Sequence, residues 1–150
     1  MAFKLGMHAV MYIADTLLDG STNTPDAATW TEQSNVKDLT LNLETGEADA
    51  TTRGNNGWRA TLATLKEGSI EFEMLWDSAD SGFTAIKDAW LNSTEIAMAA
   101  MDGDIQTSGN QGLASNFTVT NFSRNEPLEE AITVNVTVKP SSQTTWYEVA

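Results

Sequence analysis

Ala131-Ile132-Thr133-Val134-Asn135-Val136-Thr137-Val138 is the stretch whose reading decides the fold. Its period is two: Ile132, Val134, Val136 and Val138 point one way, Thr133, Asn135 and Thr137 the other. Branched side chains suit a pleated, half-buried surface, so the stretch is read as a strand with one face on an apolar core and one on water. Upstream, Phe117-Thr118-Val119-Thr120-Asn121-Phe122 reads the same way, and the turn-rich Ser123-Arg124-Asn125-Glu126-Pro127 joins the two. A sheet with one wet face is antiparallel or mixed, because all-parallel sheets are covered on both faces.

Working outward, Leu5 to Ile13 alternates Leu5, Met7, Ala9, Met11 and Ile13 against His8 and Tyr12, which predicts a first strand. Asp15 to Asn35, rich in Asp, Gly, Ser, Thr and Asn, reads as loop. Val36 to Leu43 predicts a strand with Leu39, Leu41 and Leu43 inward and Asp38, Thr40 and Asn42 outward. Trp58 to Leu65 and Ser69 to Trp76 predict a hairpin around a tight turn at Lys66-Glu67-Gly68, with an acidic outer face at Glu71 and Glu73. Asp77 to Asn92 is the expected helix, capped by Asp80 or Ser81, with Phe83, Ile86 and Trp90 at helical spacing. Glu95 to Met101 is apolar on both faces, so it is placed under that helix. Gln106 to Gly112 reads as loop, and Pro140 to Ala150 as an irregular tail. The expected fold is a single mainly β domain over 1–150, an antiparallel sandwich or split barrel with one flanking helix.

The least ordinary segment is Glu44 to Gly57, Glu-Thr-Gly-Glu-Ala-Asp-Ala-Thr-Thr-Arg-Gly-Asn-Asn-Gly. It lies between two strands, where hairpin loops usually take about 2–5 residues. No Gly-Lys-Ser/Thr follows to cradle phosphate, and Glu44, Glu47 and Asp49 do not match a calcium loop. A contact loop fits better.

Composition narrows the function. The 150 residues carry 21 acidic against 8 basic side chains, a net charge of −13. Affinity for nucleic acid rests on Lys and Arg displacing counterions, so DNA binding is not expected. No cysteine is present, which removes disulfides and thiolate metal sites. His8 is the only histidine, so no nucleophile–base–orienter set is visible and no metal, cofactor or catalytic residue is expected. Met1 to Gly6 shows no apolar run ahead of a cleavage site, so neither a signal peptide nor a membrane span is expected. The Asn-x-Ser/Thr triplets at Asn92, Asn116, Asn121 and Asn135 are read as chance products of Thr/Asn-rich strands. One functional reading is then a monomeric carbohydrate-binding sandwich using Trp30, Trp58 or Trp146 as stacking platforms. Another is a self-assembling β-protein that closes its sheet edges against copies of itself.

Two phrases favour the second. Gly46-Glu47-Ala48-Asp49-Ala50-Thr51-Thr52-Arg53-Gly54 with Gly57-Trp58-Arg59-Ala60-Thr61 resembles the central segment of bacteriophage major tail tube proteins. So does Val119-Thr120-Asn121-Phe122-Ser123-Arg124-Asn125-Glu126-Pro127-Leu128-Glu129-Glu130-Ala131, running into Val136-Thr137-Val138-Lys139-Pro140. The resemblance covers Val36 to Pro140. It implies a virion tail protein, assembled in the host cytoplasm into hexameric rings that stack into a tube. DNA would pass through that tube without specific binding. The implied partners are further copies of the chain, the tape-measure protein, and tail tip and tail terminator proteins. The family's long loop contacts the adjacent ring, which points here to Glu44, Glu47, Asp49, Thr51, Thr52, Arg53, Asn55 and Asn56. For the lumen, the polar strand faces point to Thr118, Thr120, Thr133, Asn135 and Thr137. The competing reading of those five is the solvated outside of a sandwich.

Overall fold

The computed structural model describes residues 3–150; Met1 and Ala2, part of the stretch read as carrying no signal sequence, lie outside the described residues. Seven strands are present, β1 (Val10–Ala14), β2 (Trp30–Glu32), β3 (Val36–Asp49), β4 (Thr61–Leu75), β5 (Glu95–Met101), β6 (Gln111–Asn125) and β7 (Thr133–Glu148), with one helix, α1 (Ser81–Asn92). They form one sheet in the order β2-β1-β5-β6-β7-β4-β3, with every pairing antiparallel.

The link between β2 and β3 shows how this sheet is shaped. Laid flat, the outermost strands of seven would sit about 29 Å apart, six spacings of roughly 4.8 Å. Yet β2 and β3 are consecutive in sequence and joined only by Gln33, Ser34 and Asn35. The Gln33 amide donates to the Met11 carbonyl of β1 at 2.8 Å, and the Leu75 amide of β4 donates to the Asn35 carbonyl at 3.0 Å. Residues two apart span at most about 7 Å, so the sheet has to curl until its two edges meet at this corner. The result is a barrel closed at one corner and split beyond it, as expected for the class.

α1 lies against the concave side. Asp80 caps it, its carboxylate accepting from the Phe83 amide at 2.9 Å and from the Gln33 side chain at 2.6 Å, so the helix start and the sheet corner are tied to one group. Gly82 leaves room for this: a Cβ there would stand 1.6 Å from the Gln33 side-chain oxygen. Phe83, Ile86 and Ala89 join Met11, Ile13, Ile70, Phe72, Met74, Met98, Phe117 and the β7 valines Val134, Val136 and Val138 in one buried cluster. On the opposite face, a second cluster of Tyr12, Leu18, Ala97, Ala99, Met101, Ile105, Ala114 and Val149 covers β1, β5 and the first half of β6. This explains why β5 is apolar on both sides. The buried Asn116 side chain holds the overlying loop, exchanging two 2.8 Å hydrogen bonds with the Leu18 backbone.

Several expectations change. The first strand begins at Val10 rather than Leu5, because β5 ends at Met101, the partner of Val10, and nothing remains for the preceding residues to pair with. Gly6–His8 forms a single 3-10 turn instead, with Leu5 63% and Met7 81% exposed. Within the expected loop 15–35, Trp30–Glu32 pairs with β1. No turn forms at Lys66-Glu67-Gly68: these residues pair with Thr45, Glu44 and Leu43, so β4 runs straight through and the expected hairpin is half of a longer one. Likewise Glu44 to Asp49 is strand, not loop. The expected tail from Pro140 is strand to Glu148, paired with the first half of β6 across bulges. β6 starts at Gln111, inside the stretch that reads as loop, and runs on through Ser123 to Asn125, which read as turn; a partner strand on β7 outweighs their turn-forming composition.

Val136 is 1% exposed in the centre of the core. Val136→Asp buries an unpaired charge there and should cost on the order of several kcal/mol, abolishing a cooperative thermal transition. Gly112 is required by close packing: a Cβ would stand 1.9 Å from the Ala100 carbonyl oxygen of β5. Gly112→Ala should therefore lower stability by about 1–3 kcal/mol in urea unfolding, with the fold retained.

Candidate assembly surfaces

Four strands, β3, β4, β7 and the second half of β6, leave their outer face uncovered. On β7, Thr133, Asn135 and Thr137 point outward between the buried valines and are themselves half-buried. Thr118 is exposed on the same face, opposite Lys139. Thr120 falls in a β-bulge between the pairs Val119↔Val138 and Asn121↔Thr137, and its hydroxyl donates to the Thr137 carbonyl at 3.2 Å. The five predicted positions are thus brought together on one open surface. Register adds residues that the sequence reading left out. Asn121, Ser123 and Asn125 stand opposite Thr137, Asn135 and Thr133 on one side; Glu71 and Glu73 stand opposite Thr137 and Asn135 on the other. Beyond them Asp38 faces Glu73 and Glu44 faces Glu67. Like charges directly opposite one another are unfavourable in a sheet. Lys37, 3.8 Å from Glu73, relieves the first pair. The surface is therefore a Thr/Asn row flanked by carboxylates.

Both edges of this four-stranded unit are free. Among the described residues β3 has no strand beyond it. β5 pairs with β6 only as far as Glu95↔Thr118, so no strand among the described residues pairs with the outer edge of Val119–Asn125. Unpaired edges are templates for another chain.

The second feature is an arm. β3 and β4 continue past the core as a two-stranded ribbon, with Glu44, Thr45, Glu47, Ala48 and Asp49 paired to Glu67, Lys66, Ala63, Leu62 and Thr61. From Leu43 to Glu67 no side chain is buried. Leu62 and Leu65 are 60% and 81% exposed. The tip is nonetheless ordered by local bonds. Asp49 accepts from the Thr51 amide at 2.9 Å, and the Thr51 hydroxyl accepts from the Ala60 amide at 2.9 Å. Thr52 and Asn55 cap each other across a 3-10 turn at Arg53–Asn55. Asn56 and Gly57 then turn the chain with positive φ, 52° and 84°. The Thr51 side chain and amide hold the Asp49 carboxyl below its ordinary value of 3.8. Of the eight contact-loop candidates, Thr51, Thr52, Arg53, Asn55 and Asn56 sit at the tip, while Glu44, Glu47 and Asp49 lie along its stem.

The tryptophans proposed as sugar platforms separate. Trp30 is tucked in, its indole donating to the Pro25 carbonyl at 3.0 Å. Trp58 is 79% exposed at the arm tip, and Trp146 is 53% exposed beside an open cleft of about 1110 Å³ at the arm's base.

Comparison with known proteins agrees with this geometry. A family described as phage tail tube protein matches residues 12–145. The chain belongs to the phage tail tube protein family. No curated protein matches it. Among solved structures, the tail of an empty gene transfer agent particle, refined with C6 symmetry, has a TM-score of 0.72 at 13% identity, covering 97% of this chain and 99% of that one. The SPP1 tail tube has a TM-score of 0.71 at 12% identity, over 99% of this chain and 81% of that one. A chain in the anti-feeding prophage baseplate has a TM-score of 0.61 at 10% identity, with 99% of both chains covered. At these identities the likeness is one of fold.

A ribbon with no buried side chain gains little from its own subunit, and isolated hairpins are marginal in water. Hydrogen exchange on the free tail tube subunit should show fast amides through Thr45–Asp49 and Thr61–Lys66 and slow ones through Phe117 and Val134–Val138. The Asp49 carboxyl, followed by NMR, should titrate with a midpoint under 3.8. Because its folded value is depressed, the order it lends the tip is present at neutral pH and is lost as pH falls through that midpoint.

Proposed function

We propose that this tail tube protein forms hexameric rings in which the free edge of β3 on one copy pairs with the free edge of β6 on the next. The single observation carrying this is the four-stranded unit β6-β7-β4-β3, bare on one face and unpaired along both edges. Joined around a ring, such units close into one continuous barrel with no edges left. Their uncovered face becomes the bore, lined by Thr118, Thr120, Thr133, Asn135 and Thr137 and flanked by Glu71 and Glu73. A bore of that chemistry has hydroxyls and amides for water and carboxylates that repel phosphate, so a DNA molecule meets no adhesive site. Rings stack through the arm, in which Arg53 is the tip's contact residue, and the arm gains in the next ring the packing it lacks in its own. The role is structural rather than catalytic: a conduit in the virion tail, assembled in the host cytoplasm around a tape-measure protein and bounded by tail tip and terminator proteins.

Electron microscopy of the concentrated protein should show tubes with six-fold symmetry; a monomer that stays dispersed at every concentration and quenches its tryptophan fluorescence with sugars would favour the lectin reading. Thr118→Lys with Asn135→Lys tests the bore. Tubes should still form, since both sites are on the open face, but they should now retain double-stranded DNA at low salt and release it as salt rises. Unaltered passage of DNA through such tubes would move the bore to another face.

A further inference from the structure

Resting on the stacked-ring reading, the remaining question is which surface receives the arm tip. Antiparallel register fixes where the two ends of the sheet lie. The tip projects from the end of β3 and the start of β4. The turn joining β6 to β7 lies at the other end, because Thr133 pairs with Leu75 at the far end of β4. Tip and turn of one copy therefore face away from each other.

Their chemistry is complementary. Residues 50–60 carry Arg53 and Arg59 and no acid, in a chain whose net charge is −13. Neither guanidinium is in an ion pair among the described residues, whereas Lys4, Lys37, Lys87 and Arg124 all are. Between the two arginines stands Trp58, 79% exposed. The turn at 126–132 carries Glu126, Glu129 and Glu130 and no base. Glu126 is already held by Arg124 at 2.7 Å, and Arg124 itself lies over the Trp76 ring at 4.9 Å, which leaves Glu129 and Glu130 as the free charges. Beside them the apolar side chain of Leu128 is 99% exposed.

We propose that the arm tip of one copy docks on the β6–β7 turn of the copy stacked beyond it, Arg53 and Arg59 against Glu129 and Glu130, Trp58 against Leu128. The tip's hydrogen bonds are internal, so docking has to order only the ribbon that carries it. Tip and turn are different surfaces, so the contact is head to tail and each docking leaves a free tip at one end and a free turn at the other. A contact of this kind propagates a tube instead of saturating as a pair. Charge alignment also speaks against the inverted approach, where tips would meet tips.

The test uses full-length protein. Glu129→Arg/Glu130→Arg should pellet at less than a tenth of the wild-type polymer fraction while the subunit melts as wild type, because both sites are exposed. Arg53→Glu/Arg59→Glu should behave the same way, and the four changes together should restore polymer. Independently, Trp58→Cys/Leu128→Cys in a chain with no other cysteine should give, on oxidation of assembled tubes, a ladder of cross-linked multimers. Tubes that survive Glu129→Arg/Glu130→Arg unchanged, or the absence of a ladder, overturn the docking while leaving the tube reading in place. Wild-type protein that forms no tubes at all removes both.

Discussion

The three-residue link from Gln33 to Asn35 is the constraint on which the rest of the molecule depends. It bonds to β1 with one residue and to β4 with another, so the two halves of a seven-stranded sheet have to face each other across a single core. Once the sheet is curled, its inner surface is closed by α1, and Asp80 ties the start of that helix to Gln33. The outer surface has no such cover over β3, β4 and β7. Antiparallel strands can carry one dry face and one wet face, and here the curl turns the apolar side chains inward and leaves the polar ones outside. The Thr/Asn row follows from that geometry before any assembly is considered.

The same curl leaves β3 at an edge. The three-residue β2 pairs with β1, so among the described residues β3 runs for 14 residues with only β4 beside it. Native proteins blunt such edges with charge, and Lys37, Asp38, Glu44, Glu47 and Asp49 are distributed along this one. Those charges keep a free subunit from pairing indiscriminately, at the cost of crowding Glu44 against Glu67.

What could be read from the sequence was what local periodicity encodes. The alternation in Val134–Val138 and Ile70–Met74, the helical spacing of Phe83 and Ile86, and the two-faced apolar character of Glu95–Met101 all gave the correct element and face. Thr133, Asn135 and Thr137 alternate away from the buried valines for the same reason. The misses arose where a partner strand, absent from any local window, decided the outcome. Lys66-Glu67-Gly68 has turn composition, yet β3 keeps pairing with it. Pro140 to Glu148 has no period because bulges and the positive φ of Gln143 interrupt it, yet β6 supplies a ladder. Leu5 and Met7 have strand alternation, yet β5 has already ended. The flanking acids Glu71 and Glu73 were visible as an outward pair; only register showed that they share a surface with the β7 row.

The arm inverts the pattern that builds the body. Through Leu41, apolar side chains on β3 pack on the core; past the irregularity between Thr45 and Glu47, Ala48 and Leu62 pair on the face that carried Glu44 and Glu67. A bulge is the economical way to do this, since one extra residue on β4 re-aims every side chain beyond it. Glycine suits the spot: a Cβ on Gly46 would stand 2.5 Å from the Thr64 hydroxyl. The ribbon is thus amphipathic in the wrong sense for its own subunit. Leu62 and Leu65 have nothing to bury against at home, and the sheet they extend is the one whose edges are open. The body is therefore set by the alternation through Leu41, while the bulge sets which side of the ribbon carries Ala48 and Leu62.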